Sequence, residues 1–114
     1  MRYNRDQQQM FNRLEKAYES VAQRHGLPLI RSGEVVQKIR ETPYFKNGSR
    51  CITRDGYHMN FLYGRYAVAL MWAKMIAKID VIANSFLPKV EFMSFESADT
   101  QIINQIKQIV CDIN

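Results

Sequence analysis

No stretch of this chain is apolar enough for a lipid bilayer. The longest candidate, Tyr66 to Ile82, is broken by Lys74, Lys78 and Asp80, which excludes a membrane span. The segment Met1-Arg2-Tyr3-Asn4-Arg5-Asp6 carries charge with no apolar region behind it, so it does not read as a secretory signal, and the chain as written reads as cytoplasmic. Cysteine is scarce: Cys51 and Cys111 lack CxxC spacing, and His25 and His58 form no ligand cluster with them, so no metal and no cofactor is expected. Buried free thiols are the expected state of both. Five glycines and three prolines are too few for a low-complexity linker, and no internal repeat is present, so residues 1–114 read as a single domain. A basic run is missing as well. The net charge of +5 is scattered among Glu15, Glu19, Glu34 and Glu41, as on solvated helix faces, and no nucleic-acid partner is expected.

What is present is mostly helix. From Arg5 to Arg24 the residues Met10, Phe11, Leu14, Ala17, Tyr18, Val21 and Ala22 recur at three- and four-residue spacing, which predicts an amphipathic helix with one buried stripe. Gly26 suits the left-handed position that ends it. Leu27-Pro28-Leu29-Ile30 reads as a brief buried strand, apolar on both faces as in a parallel sheet covered by helices. Ser32 is placed to cap a helix over Glu34 to Arg40, stopped by Glu41-Thr42-Pro43. Asn47-Gly48-Ser49 and Asp55-Gly56 are turn signals around an extended piece at Cys51-Ile52-Thr53. The strongest helix spans Asn60 to Ile79 with Asn60 as its cap, Val90 to Met93 is extended, and a last helix starts near Ser97 or Asp99.

Asp55-Gly56-Tyr57-His58 is the segment with catalytic content. An aspartate and a histidine three residues apart on a loop can fold back until the carboxylate meets one ring nitrogen. That contact fixes the tautomer and leaves the other nitrogen as a base. Gly56 supplies the backbone freedom for the turn. The block Arg54-Asp55-Gly56-Tyr57-His58-Met59-Asn60, followed by Gly64-Arg65-Tyr66-Ala67-Val68-Ala69, resembles the last block of SGNH (GDSL-like) hydrolases, an Asp-x-x-His loop before a small-residue helix. It is especially similar to a bacterial branch of that superfamily, and the elements around Leu27 to Ile30 and Asn84 to Pro88 resemble its flanking parts.

The resemblance implies the C-terminal part of a three-layer α/β/α, flavodoxin-like fold, helix-rich and with few strands. It implies Asp55 as the triad acid and His58 as the general base of a serine ester hydrolase acting on a small-molecule or carbohydrate ester. The family's serine, in a Gly-Asp-Ser context after a strand, and its oxyanion-hole glycine and asparagine have no match here. Ser20, Ser32, Ser49, Ser85, Ser94 and Ser97 all lie in other contexts. The chain therefore reads as a partial domain that is inactive alone: a truncated gene product, the product of a mis-called start codon, or a piece that complements an upstream half. An export signal on that half would make the protein periplasmic. The alternative is a self-sufficient, non-catalytic α-rich interaction module whose basic surface serves an acidic partner.

Overall fold

The computed structural model describes residues 7–46, 51–90 and 96–114. In chain order it contains α1 (Gln7–His25), α2 (Ser32–Arg40), α3 (Pro43–Lys46), α4 (Tyr63–Trp72) continued by a π-helical turn over Ala73–Ala77, β1 (Lys89–Val90), β2 (Glu96–Ser97) and α5 (Thr100–Asp112). The protein is helix-rich with few strands, as expected. Among the described residues the strand content is one antiparallel ladder, Lys89 opposite Ser97 and Val90 opposite Glu96, and an isolated bridge between Thr53 and Met59.

The core lies where α2, α4 and α5 meet. Each helix brings apolar residues three or four apart: Val35 and Ile39 from α2, Tyr63, Ala67, Leu70 and Met71 from α4, and Ile102, Ile103, Ile106 and Val110 from α5. Ile52, Leu62, Val81 and Ile113 close it from the connecting segments. Asp99 caps α5 by accepting from the Gln101 amide at 2.8 Å, and its own amide donates to the buried Tyr63 hydroxyl at 2.9 Å. Thr42 ends α2, its amide and hydroxyl both donating to the Ile39 carbonyl, and Pro43 opens α3 at the one position where a missing N–H costs nothing.

Several expectations need correction. The first helix forms and ends as anticipated: Gly26 is left-handed at φ +62°, Leu27 N–H donates to the Ala22 carbonyl, and Gly26 N–H to that of Gln23. Its stripe, however, is not buried. No residue of α1 is buried, and Leu14, Tyr18 and Val21 are half exposed or more. Polar contacts hold the helix instead: Arg31 reaches Glu19 at 2.7 Å, and Gln7 and Gln37 bond reciprocally at 2.6 and 2.9 Å. Leu27 to Ile30 is not a strand but an irregular connector with Leu27 exposed, because no neighbouring strand offers it a ladder. Ser32 does not cap α2. It lies inside the helix, and its hydroxyl accepts from the Trp72 indole at 3.0 Å. Cys51 and Cys111 are free but exposed, because Cys111 sits on the side of α5 away from the Ile103–Ile106–Val110 stripe and Cys51 lies in the segment leading into buried Ile52. The Asn47-Gly48-Ser49 turn, the helix start at Arg5 and the extension from Glu91 to Met93 lie outside the described residues.

The expected long helix from Asn60 to Ile79 is also shorter and changes character. After Trp72 the backbone widens into the π turn, and Lys78, left-handed at φ 58°, stops it. This turn carries Lys74, whose ammonium donates to the carbonyls of Val110 at 2.9 Å and Cys111 at 3.0 Å and also to that of Ile113. These are carbonyls at the negative end of α5, of which only that of Val110 also accepts from a cap amide, that of Ile113, so one cation meets three acceptors and the helix dipole together. Lys74→Met keeps the aliphatic stem and removes the charge. It is expected to cost about 2 kcal/mol, the scale for hydrogen bonds to a charged group, read as a lowered midpoint in chemical denaturation with an unchanged slope.

Candidate functional site

The loop that carries Asp55 and His58 is the tip of a small hairpin. The Asn60 amide donates to the Ile52 carbonyl at 2.7 Å, Thr53 bridges Met59, and the Arg54 amide donates to the His58 carbonyl at 2.8 Å. Inside that closure Gly56 takes φ +90°, a conformation L side chains rarely adopt. The Arg54 side chain reinforces the hairpin by donating from Nε to the Met59 carbonyl at 2.9 Å.

Within the tip the Asp55 carboxylate uses both oxygens. Oδ1 accepts from the amides of Tyr57 and His58, each at 2.8 Å, and Oδ2 lies 2.7 Å from His58 Nδ1. The two residues singled out from the sequence thus meet. An ionised carboxylate can only accept, so the proton of the contact belongs to Nδ1, and the Nε2 lone pair of the neutral ring is left outward. The His58 side chain is 67% exposed and that of Asp55 49%. The His58 amide, then the His58 ring, then the Tyr57 amide hold the Asp55 carboxyl well below the usual carboxylate range.

The sign of the linkage follows. A depressed folded-state pKa means that the loop contacts of Asp55 are fully present above the ordinary value of about 4 and are lost only as pH falls through the lower folded-state value. Carbon-detected titration of the Asp55 carboxyl is expected to give a midpoint below that ordinary value. A midpoint in the usual range would mean the three hydrogen bonds do not persist in solution.

Helix α4 positions the hairpin. Asn60 Oδ1 accepts from the amides of Leu62 at 2.9 Å and Tyr63 at 2.8 Å, so the residue that closes the hairpin turns the chain into the helix, although the N-cap position of α4 is Leu62 and not Asn60 as expected. Gly64 lets the two approach: a Cβ there would lie 2.9 Å from the Ile52 carbonyl oxygen and 3.1 Å from Met59 Cβ. The guanidinium groups of Arg54 and Arg65 sit over the Phe61 ring, 4.1 and 4.6 Å from its centre. Sequence reasoning singled out neither Gly64 nor this pair as a contact. A glycine in the first turn of an otherwise strong helix was the available signal, since it weakens the helix unless packing requires it.

The remaining site chemistry is sparse. No described serine hydroxyl is bonded to His58. No group of three or more His, Cys, Asp or Glu that could hold a metal ion exists among the described residues, and no helix among them is long and apolar enough to cross a membrane. No curated protein and no solved structure matches the chain. A family model described as a domain of unknown function, DUF4886, matches residues 1–105. A match over that share of the sequence places the membership beyond the hairpin alone, and the chain belongs to the DUF4886 family.

Proposed function

We propose that this chain carries the acid and base of an SGNH-type serine ester hydrolase, Asp55 and His58, and that its helices belong to a three-layer α/β/α domain whose sheet, serine and oxyanion donors are supplied by other polypeptide. The observation that carries the reading is the 2.7 Å contact between Asp55 Oδ2 and His58 Nδ1, with Oδ1 anchored by two amides. In that arrangement Nε2 takes the proton of a serine hydroxyl as its oxygen adds to the ester carbonyl. The carboxylate stabilises the imidazolium, which then gives the proton to the departing alcohol. The uncovered apolar side chains Leu14, Tyr18, Val21 and Trp72 support the larger layered domain, since helices that flank a sheet need such faces. The substrate class is a small-molecule or carbohydrate ester.

The test reads the coding sequence upstream of the Met1 codon. A strand followed by Gly-Asp-Ser, in frame or after one frameshift, is the expected result. A promoter and ribosome site with no such coding sequence would favour a non-catalytic α-rich interaction module. The isolated 114 residues are expected to show little ester hydrolysis, because a base without its nucleophile contributes far less than the assembled triad. Strong hydrolysis of an activated ester that His58→Ala abolishes would overturn that expectation.

A further inference from the structure

A cleft of about 350 Å³ runs between α4 and the segment from Ile79 to Pro88. Its walls are apolar, formed by Phe61, Ala69, Ile79 and Phe86 among others, and neither Asp55 nor His58 lines it. Three polar residues line it, Arg65, Tyr66 and Asn84, and Asn84 Oδ1 is already taken by the Phe86 amide. Tyr66, 6% exposed, lends its ring to the wall, while its hydroxyl is sealed from solvent and has no hydrogen-bond partner. Arg65, on the same wall, is exposed and holds its guanidinium near Phe61.

A buried hydroxyl without a partner is unfavourable, so a protein that keeps one at the wall of a cleft keeps a donor that a ligand can satisfy. Burial pushes the Tyr66 phenol up, away from ionisation, and so preserves it as a donor. Phe86 stacks on the Tyr66 ring, centroids 6.5 Å apart at 26°, and is itself 64% exposed on a connecting segment. An apolar trough of this size, one donor hydroxyl and one cation at the rim match a ligand with an aliphatic chain and a single anionic head.

We propose that Phe86 moves off the Tyr66 ring and that this cleft then binds a medium-chain aliphatic carboxylate, its chain along Ala69 and Ile79 and its oxygens accepting from the Tyr66 hydroxyl and the Arg65 guanidinium. The site is separate from the hairpin and stands whether or not Asp55 and His58 act on esters.

The probe is sodium octanoate, titrated into the 114-residue protein and followed by amide chemical shifts. Saturable shifts confined to residues 61–73 and 79–88 are expected. Tyr66→Phe removes one unpartnered oxygen and is expected to keep or raise thermal stability while weakening octanoate about five- to tenfold, the effect of one lost hydrogen bond. Arg65→Gln should weaken octanoate but leave octanol unchanged, and His58→Ala should affect neither. The proposal would be overturned by no saturable shift, by Tyr66→Phe binding octanoate as the unsubstituted protein does, or by shifts centred on Leu14, Tyr18 and Trp72. Octanol binding as well as octanoate would also overturn it, by removing the role of the head group.

Discussion

Gly64→Val is expected to lower stability by about 3 kcal/mol and to detach the hairpin from the helix beneath it. The position has no room: a Cβ alone would come within 2.9 Å of the Ile52 carbonyl oxygen, which already accepts from the Asn60 amide. That oxygen belongs to backbone and cannot rotate away like a side chain. Helix propensity works in the opposite direction for alanine, which gains about 1 kcal/mol over glycine. Gly64→Ala should therefore show a smaller net loss, about 1–2 kcal/mol after that offset. Valine keeps the clash, adds two methyl groups and gains little propensity. Thermal unfolding gives the size of the effect, and amide exchange gives its location. The Thr53–Met59 bridge is expected to lose protection while the Ile103 and Ile106 amides of α5 keep theirs. A valine variant as stable as the parent would mean that hairpin and helix are not in contact in solution.

The larger effect concerns chemistry. In an enzyme completed by a Gly-Asp-Ser serine, His58→Ala is expected to reduce turnover about 10⁶-fold, the scale on which a triad loses rate when its base is removed. Asp55→Asn is the more informative change, because the hairpin dictates how it fails. The two amides that meet Oδ1 can bond only to an acceptor, so the asparagine must place its carbonyl oxygen there. Its NH₂ then faces His58 Nδ1 and can only donate. The ring is forced into the opposite tautomer, with the proton on Nε2, and has no lone pair for a serine. Loss of turnover of about 10⁴-fold is expected, with the fold intact. The tautomer can be read without any enzyme assay: nitrogen shifts of the imidazole in the 114-residue chain should show the proton on Nδ1 in the parent and on Nε2 in Asp55→Asn. The same tautomer in both would remove the physical basis of the proposed mechanism.

Local features were legible in the sequence, and long-range ones were not. Asp55 and His58 meet because three residues and a glycine suffice to bring them together, and Gly26 takes its place because a helix C-terminus depends on immediate neighbours. The stripes of α2, α4 and α5 were readable from their spacing. The same spacing in α1 misled: periodicity identifies an apolar face, whereas burial requires a surface opposite, and α1 extends past α2. Leu27 to Ile30 misled for a related reason, since a strand exists only with a partner. The π turn left no mark, because the apolar pattern from Asn60 to Ile79 suits either kind of turn. What distinguishes them is Lys74 reaching the end of α5, a contact between distant segments. The unpartnered Tyr66 hydroxyl was equally invisible, as an absence of neighbours is a property of the folded arrangement.

Asp55 and His58 sit three positions apart, and this has a kinetic consequence. Closing so short a loop takes little chain entropy, and such closures occur within tens of nanoseconds. In a chain emerging from the ribosome, or diluted from urea, the carboxylate–imidazole contact is therefore among the first to form. Any group that the imidazole is to serve arrives later, at the pace of collapse and docking. The lag before function returns on refolding would time that arrival, because the proton acceptor is already waiting.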